Sequence, residues 1–376
     1  MAKEKAEKFL ELVPEMDELT GWDPMDELGT TGLRQFSGIL DEEFLPQLRG
    51  TQALRIFREM RDNDPIVGAM LFAIEMLIRQ VEWRVDPASS DSGDLEAAEF
   101  LRTNMNDMEQ SWDDTIASIL SFLPYGFSLH EEVYKRRNGK EGKDPTQKSN
   151  YKDGRIGWRK LPVRAQDTIL RWLIYESELL GFVQLAPPDF KRRIVPREKF
   201  LHFRTTIHKG NPEGRSVLRN AYRPWYFKKR IEEVEGIGVE RDLAGLPVAL
   251  VPPELLQTSA PIEMQTLYTN LKKMVRNIKR DEREGVVYPL AYDKNGNLAY
   301  DLKLLTTGGR RQFDTTKIID RYDSRIAMTV LADFILMGHQ RVGSFALSSD
   351  KTHIFATAIG SWVEMIASAP SLARRR

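Results

Sequence analysis

Cysteine is missing altogether from this chain of 376 residues. Disulfides, thiolate metal sites and a cysteine nucleophile are thereby excluded, and such a composition suits a reducing cytoplasm. Net charge is missing too: 55 Lys and Arg balance 55 Asp and Glu, so overall basicity gives no argument for a polyanionic partner. Nor is there a long apolar run. Ile66 to Ile78 and Ile326 to Met337 are broken by Glu75 and Asp333 and are too short to cross a bilayer. The charged N-terminus has no apolar core followed by a small-residue cleavage site, so neither secretion nor a membrane partner is expected.

Signatures of chemistry are equally scarce. There is no Walker A run, no G-x-G-x-x-G after a strand, no H-E-x-x-H and no G-x-S-x-G elbow. His130, His202, His208, His339 and His353 stand singly, and only His202 and His208 come near metal-ligand spacing. Gly210 to Ser216 opens a helix and could hold a phosphate, although a turn followed by an N-cap is the simpler reading. Pro188 and Asp189 ahead of Glu198 and Lys199 resemble a nuclease carboxylate motif only faintly, since the spacing is wrong. No catalytic, cofactor-binding or metal-binding residue is assigned, and an enzyme is not expected.

What is present is enough chain for two or three folded domains, with 41% hydrophobic and 29% charged residues. Residues 1–50 are acid-rich and broken by Pro14, Pro24 and Pro46, which reads as an extended, partly mobile arm. Ile66, Met70, Ile74, Leu77 and Ile78 then mark an amphipathic helix with Pro65 near its first turn. Alternation of Val81, Trp83 and Val85 predicts a strand. Helices are predicted over Leu95 to Met105 and Trp112 to Leu123, and Gly139 to Gly154 reads as a loop tip with little to bury. Short strands at Trp158 to Leu161, Ile169 to Tyr175, Gly181 to Leu185, Arg193 to Val195 and Phe200 to Thr205 give an α/β chain of the α+β kind with a mixed or antiparallel sheet. Ser216 is the expected N-cap of a helix running to Ala244.

Between Lys191 and Arg230 cations dominate, interleaved with Tyr222, Trp225, Tyr226 and Phe227. Such a stretch could grip nucleic acid. Val217, Leu218, Ala221, Trp225 and Ile231 equally fit the core positions of an ordinary helix with a solvated cationic face, and that reading is preferred.

Two further helices have a sharper pattern. In Glu263 to Glu284, Met264, Leu267, Leu271, Met274, Val275 and Ile278 recur at steps of three and four and share one face. Lys272, Lys273, Arg276, Lys279, Arg280 and Arg283 fall on roughly the opposite one. A second helix spans Thr315 to Met337, and a Gly-rich segment, Gly338 to Asp350, precedes a third. Between the first two, Gly285 to Leu290 and Tyr300 to Leu305 are expected to pair across an Asn295-Gly296 turn.

The segments DPIVGAMLFAIEMLIRQVEWRVDPAS, WDDTIASILSFLPYGFSLHEEVYK and EGRSVLRNAYRPWYFKKRIEEVEGIGVERDLAGLPVALVPP, in this order and followed by helix, hairpin, helix, loop and helix, resemble the portal proteins of tailed bacteriophages. The likeness runs over roughly residues 55 to 368 and lies more in the order of the pieces than in any one motif. It implies a portal-like fold: arm 1–50, α/β wing 51–262, stem helix 263–284, β clip 285–313, stem helix 314–337, tunnel loop 338–350, wing helix 351–368 and basic tail 369–376, with the family's crown absent or reduced. It implies a dodecameric ring at the unique capsid vertex of the virion, assembled in the host cytoplasm, through which double-stranded DNA is packaged and ejected. The implied partners are the terminase large subunit, the major capsid or scaffolding protein and a head-tail adaptor. No cofactor is implied, because a separate motor hydrolyses ATP. His339, Gln340, Arg341, Val342, Gly343, Ser344 and Phe345 would line the channel at the tunnel loop. A metal-dependent nuclease and a monomeric nucleic-acid-binding scaffold are the alternatives from other classes.

Overall fold

A computed structural model of the chain describes residues 29–141, 144–175, 177–244, 246–256, 261–277, 292, 301–305, 314–330 and 345–373. They form two compact units, one of residues up to Arg219 together with Ser349 onward, the other of Asn220–Ser348. The division falls at 219/220, inside the segment expected as a single wing.

The first unit opens with a strap. Strands β1 (Gln35–Phe36) and β2 (Ile39–Leu40) pair antiparallel across Ser37 and Gly38, whose φ angles of 51° and 82° are those of a primed hairpin turn. Gly38 also meets a steric demand: a Cβ there would sit 1.9 Å from the carbonyl oxygen of Trp172. Residues 29–49, expected as a partly mobile arm, are therefore tied down. Trp172 N donates to Gly38 O at 2.9 Å, Lys209 pairs with Glu42 at 3.1 Å, and Arg219 reaches Glu43 at 2.6 Å. The rest of that arm lies outside the described residues.

Helices α1 (Gly50–Asn63) and α2 (Pro65–Arg79) follow, and the break between them is written in Asp64 and Pro65. The Asp64 carboxylate accepts from Ile66 N at 2.9 Å and Val67 N at 3.1 Å, and proline fills the next position, where its missing N–H costs nothing. Of the expected face, Met70, Ile74 and Ile78 are fully buried together with Val67, whereas Ile66 is half-buried and Leu77 is 43% exposed: the buried stripe runs through Val67 instead of Ile66 and leaves Leu77 outside it. Residues 81–85 are not a strand. Their alternation is real, but Trp83 packs edge-on against Trp112 at 6.3 Å, the first residue of α4, instead of joining a ladder. After α3 (Ser92–Asn106), α4 (Trp112–Ile119) is capped by Ser111, which accepts from Asp114 N at 3.0 Å. A single turn, α5 (Phe122–Tyr125), ends at Gly126 with φ 93°.

Strands β3 (Phe127–Glu131), β4 (Val133–Arg136), β5 (Ile156–Lys160), β6 (Val163–Arg164), β7 (Ile169–Tyr175), β8 (Glu178–Ala186), β9 (Lys191–Pro196) and β10 (Phe200–Arg204) make three sheets, ordered β10-β3-β6, β7-β8-β9 and β4-β5. All pairings are antiparallel. Phe127, Leu129 and Phe200 from one sheet interlock with Trp172, Phe182 and Val195 from another to form a core. Phe182 meets Phe200 edge-on at 5.0 Å and Phe127 meets Trp172 at 5.4 Å, the tilted arrangement aromatic quadrupoles favour.

The segment expected as a loop tip is instead stapled down by buried charge. Lys135 Nζ lies 3.0 Å from Asp107 Oδ2, with the two side chains 4% and 2% exposed, and it also donates to the Lys148 carbonyl at 2.8 Å. Ser149 Oγ and Asn150 N donate to the same carboxylate at 2.6 and 2.7 Å. Arg137, equally buried, pairs with Asp153 at 3.0 Å and lies over the Tyr151 ring at 4.1 Å. A buried ion pair persists only when its remaining lone pairs and protons are satisfied in this way.

In the second unit α6 (Tyr222–Ala244) lies antiparallel to α8 (Thr315–Met328). Lys228 Nζ meets Asp323 Oδ1 at 2.6 Å, the rings of Phe227 and Tyr322 stack at 6.4 Å, and Thr315 Oγ1 donates to Glu235 at 2.6 Å. Ser216 does not cap α6. Its hydroxyl accepts from Leu218 N at 3.0 Å and so caps the 3-10 turn Val217–Arg219. Strand β11 (Leu246–Leu250) pairs antiparallel with β12 (Asp301–Leu305), Leu246 opposite Leu305. The strand expected at 300–305 thus takes its partner from the segment assigned to the wing; the expected partner, 285–290, lies outside the described residues. Helix α7 spans Ile262–Asn277, and α9 (Phe345–Ala373) begins six residues before the predicted end of the tunnel loop. In α9, Phe355, Ile359 and Ile366 share one buried face.

Candidate functional site

Helix α7 is an element whose apolar stripe its own unit leaves largely uncovered. Its sequence gives two opposed stripes, and a stripe of spaced apolar residues ordinarily faces a core. Here Met264 is 41% and Leu267 36% exposed, Leu271 and Val275 are only half-buried, and Ile262, at the helix start, is 83% exposed. On the polar side Lys272 and Lys273 are exposed, and the Lys272 ammonium stands 5.7 Å above the Tyr268 ring. Arg276 is within the helix; the placement of its side chain, and all of Lys279, Arg280 and Arg283, lie outside the described residues. So do His339, Gln340, Arg341, Val342, Gly343 and Ser344. Phe345, assigned to the loop, is the first residue of α9.

Much of the basic stretch is paired with acids of the same chain. Arg193 pairs with Asp189 at 2.6 Å, Lys209 and Arg219 turn to the strap acids, Lys228 is buried against Asp323, and Arg230 meets Glu233 at 3.0 Å. Arg204 donates to the Asn211 carbonyl at 3.1 Å, and burial holds its guanidinium below the usual arginine range. Leu218, Ala221 and Trp225 are buried as the core reading of this stretch required.

Two of the five histidines, His130 and His202, are structural. His130 donates from Nδ1 to the Leu161 carbonyl at 3.0 Å, and burial pushes it down to about 4, so it is neutral at ordinary pH. His202 stacks on Trp172 at 5.8 Å and meets the Pro212 carbonyl through Nε2 at 2.7 Å; burial, with Arg204 beside it, holds it well below the usual histidine range. Burial acts in the opposite direction on Glu213: its carboxyl is raised although Trp172 Nε1 donates to it at 3.0 Å. Among the described residues no three His, Asp or Glu side chains converge to hold a metal, and no helix is long and apolar enough to cross a membrane.

Residues 54–369 match the family described as the portal protein of Mu bacteriophage. The chain belongs to this portal family. It is also similar to chains of three solved assemblies. One is the neck of an empty GTA particle computed with C6 symmetry, at 12% identity and TM-score 0.45 over 84% of this chain and 82% of that one. Another is the virion of a native gene transfer agent particle, at 11% identity and TM-score 0.47 over 83% and 80%. The third is the neck of the native particle computed with C12 symmetry, at 10% and 0.47 over 82% and 80%.

In this portal chain the sequence missed the part played by Glu42, Glu43 and Glu213. A regional count placed the first two in an acidic arm and the third among cations. The signal that locates them is reciprocal: an acid-rich strap and a cation-rich stretch in one neutral chain are candidates for each other.

Proposed function

We propose that this portal chain is one subunit of a closed ring, a dodecamer at the unique vertex of a phage-type capsid, whose central channel passes double-stranded DNA during packaging and ejection. The reading rests on family membership and, within the structure, on one observation: α7 has the sequence of a packed helix and the exposure of an unpacked one. A ring supplies the missing cover. Contacts between identical subunits that repeat by rotation are heterologous, so the face one subunit offers is met by a different face of the next. In this reading 263–284 and 314–337 are stem helices, 285–313 the clip and 338–350 the tunnel loop, with Arg341 making a transient phosphate contact. The terminase large subunit, a head-tail adaptor and the major capsid or scaffolding protein dock on the ring.

Channel physics constrains the stem cations. If Lys272, Lys273, Arg276, Lys279, Arg280 and Arg283 of every subunit gripped phosphates at once, counterion release would make the hold tight and steeply salt-dependent, and DNA would stall. Most of them therefore face acids of a neighbouring subunit or the outside. Charge reversal at Lys272 and Arg276 is expected to disturb assembly more than DNA passage, and deletion of 340–347 to leave rings intact while impairing packaging or retention. Mass photometry with negative-stain imaging of the purified chain tests the central claim. An annular particle with a central hole supports it; a lone globule at every concentration refutes it.

A further inference from the structure

The sheet β7-β8-β9 has apolar side chains on both faces. Its inner face gives Trp172, Phe182 and Val195 to the core. On the outer face the register sets Val183 opposite Arg171 on one side and Ile194 on the other, and Leu185 opposite Arg192. Cross-strand partners point the same way, so these five side chains share that face. Ile194 is 69% exposed, and Arg171 and Arg192 are exposed with no ion pair among the described residues. A sheet with one face in water alternates apolar with polar. This outer face instead sets the exposed Ile194 and the half-buried Leu185, over an already buried Val183, beside two guanidinium groups that have no ion pair among the described residues, the surface that an apolar segment rich in acids would fit.

The chain contains such a segment, joined at Gly29 to the strap that meets this sheet. Residues 1–28 carry nine acidic side chains against three lysines, interspersed with Phe9, Leu10, Val13, Met16, Leu19 and Trp22. Where the described chain begins, at Gly29, it is a few residues from the β1–β2 hairpin, whose Gly38 carbonyl accepts from Trp172 N on the edge strand β7. Crossing from β7 to β9 takes two strand spacings, about 10 Å, which a handful of extended residues at about 3.3 Å each covers.

We propose that residues 1–28 dock in cis across the outer face of β7-β8-β9, their acids meeting Arg171 and Arg192 and their apolar side chains covering Ile194 and the exposed part of Leu185. This inference does not depend on ring formation. The absence of cysteine makes the test clean: Ile194→Cys in the full chain is labelled with a benzophenone maleimide, and 15N-labelled and unlabelled chains are mixed before irradiation and mass spectrometry. Adducts should fall within residues 1–28 and join peptides of one isotope only. Their yield should drop at least threefold in an Arg171→Glu/Arg192→Glu background and on raising salt to about 1 M, where screening shortens to about 3 Å. Leu95→Cys, at an exposed site on α3, is the control and should give no such adducts. Adducts that join the two isotopes would mean that a second copy covers the face, and adducts elsewhere in the chain, or equal yield from the control, would likewise overturn the proposal.

Discussion

Replacing Met264 and Leu267 together by Asp tests whether α7 is covered by a neighbouring subunit. The two side chains are 41% and 36% exposed in the single chain. Fully burying a Met or Leu side chain contributes about 1.5–3 kcal/mol, so closing the remaining third or more of each adds about 1 kcal/mol apiece, or about 2 kcal/mol per interface. A closed ring has as many interfaces as subunits, so that loss raises the concentration of half-assembly about 30-fold, and carboxylates forced into the contact raise it further. The isolated chain should scarcely notice. Exposed positions tolerate substitution within about 0.5 kcal/mol, and an acid at 264, in the first turn of the helix, favours its dipole. Mass photometry across a dilution series reads the assembly midpoint, while far-UV circular dichroism and the thermal midpoint report the fold. The conservative swap Met264→Leu/Leu267→Met should leave both readings nearly unchanged. Rings that assemble at the wild-type concentration with the Asp pair in place would refute the argument.

Other consequences concern the first unit. Asp107→Ala strands the Lys135 ammonium in a site where it is 4% exposed, and the expected loss is about 3–5 kcal/mol in denaturant unfolding, with protease sensitivity appearing first in 137–155. Gly126→Ala combines a φ of 93° with a Cβ 2.5 Å from the Glu213 carbonyl oxygen, so it should cost more than the ~1–2 kcal/mol of left-handed backbone alone, read as a lower thermal midpoint. Glu213→Gln keeps an acceptor for Trp172 but cannot ionise. Because burial raises the Glu213 carboxyl in the folded chain, its stabilising contribution is complete at pH values below the unfolded pKa and is lost as pH rises through the folded one. The variant's advantage in melting temperature should therefore grow from acid toward neutral pH, and a pH-independent difference would show that the carboxyl is not buried as described. His202 has the reverse sign. Its folded pKa lies below the unfolded one, so its contribution is full above the ordinary histidine range and falls as pH drops below it; His202→Phe should flatten the acid limb of the stability curve.

What could be read from the sequence was whatever a dozen neighbouring residues decide. Asp64-Pro65 announced the start of α2, and Met70, Ile74 and Ile78 at helical spacing named most of its buried face, although Leu77 from the same pattern is 43% exposed. The failures all involve partners far along the chain. Val81, Trp83 and Val85 alternate as a strand does, yet whether a ladder forms depends on an edge being free, and here a tryptophan from α4 takes the place of one. β12 could be recognised as a strand, but not that its partner would be β11, more than fifty residues earlier. The polar segment 139–154 has no apolar signal, so nothing local shows that Asp107, 28 residues before Lys135, draws it inward. Glu43 and Arg219, 176 residues apart, are the same lesson in electrostatics.

That lesson bears on the proposed passage of DNA along a neutral chain. Cations counted along the sequence from Lys191 to Arg230 look like a grip on nucleic acid, but Lys209, Arg219 and Lys228 are each held by an acid of the same chain. An ammonium already paired and buried, as Lys228 is, has no counterion to release and contributes nothing to phosphate affinity. Exposed cations with no ion pair among the described residues include Arg171, Arg192, Lys272 and Lys273. If the proposed channel holds, the attraction from such cations has to stay weak enough for DNA to slide, because many phosphates gripped at once would make the hold tight and steeply salt-dependent.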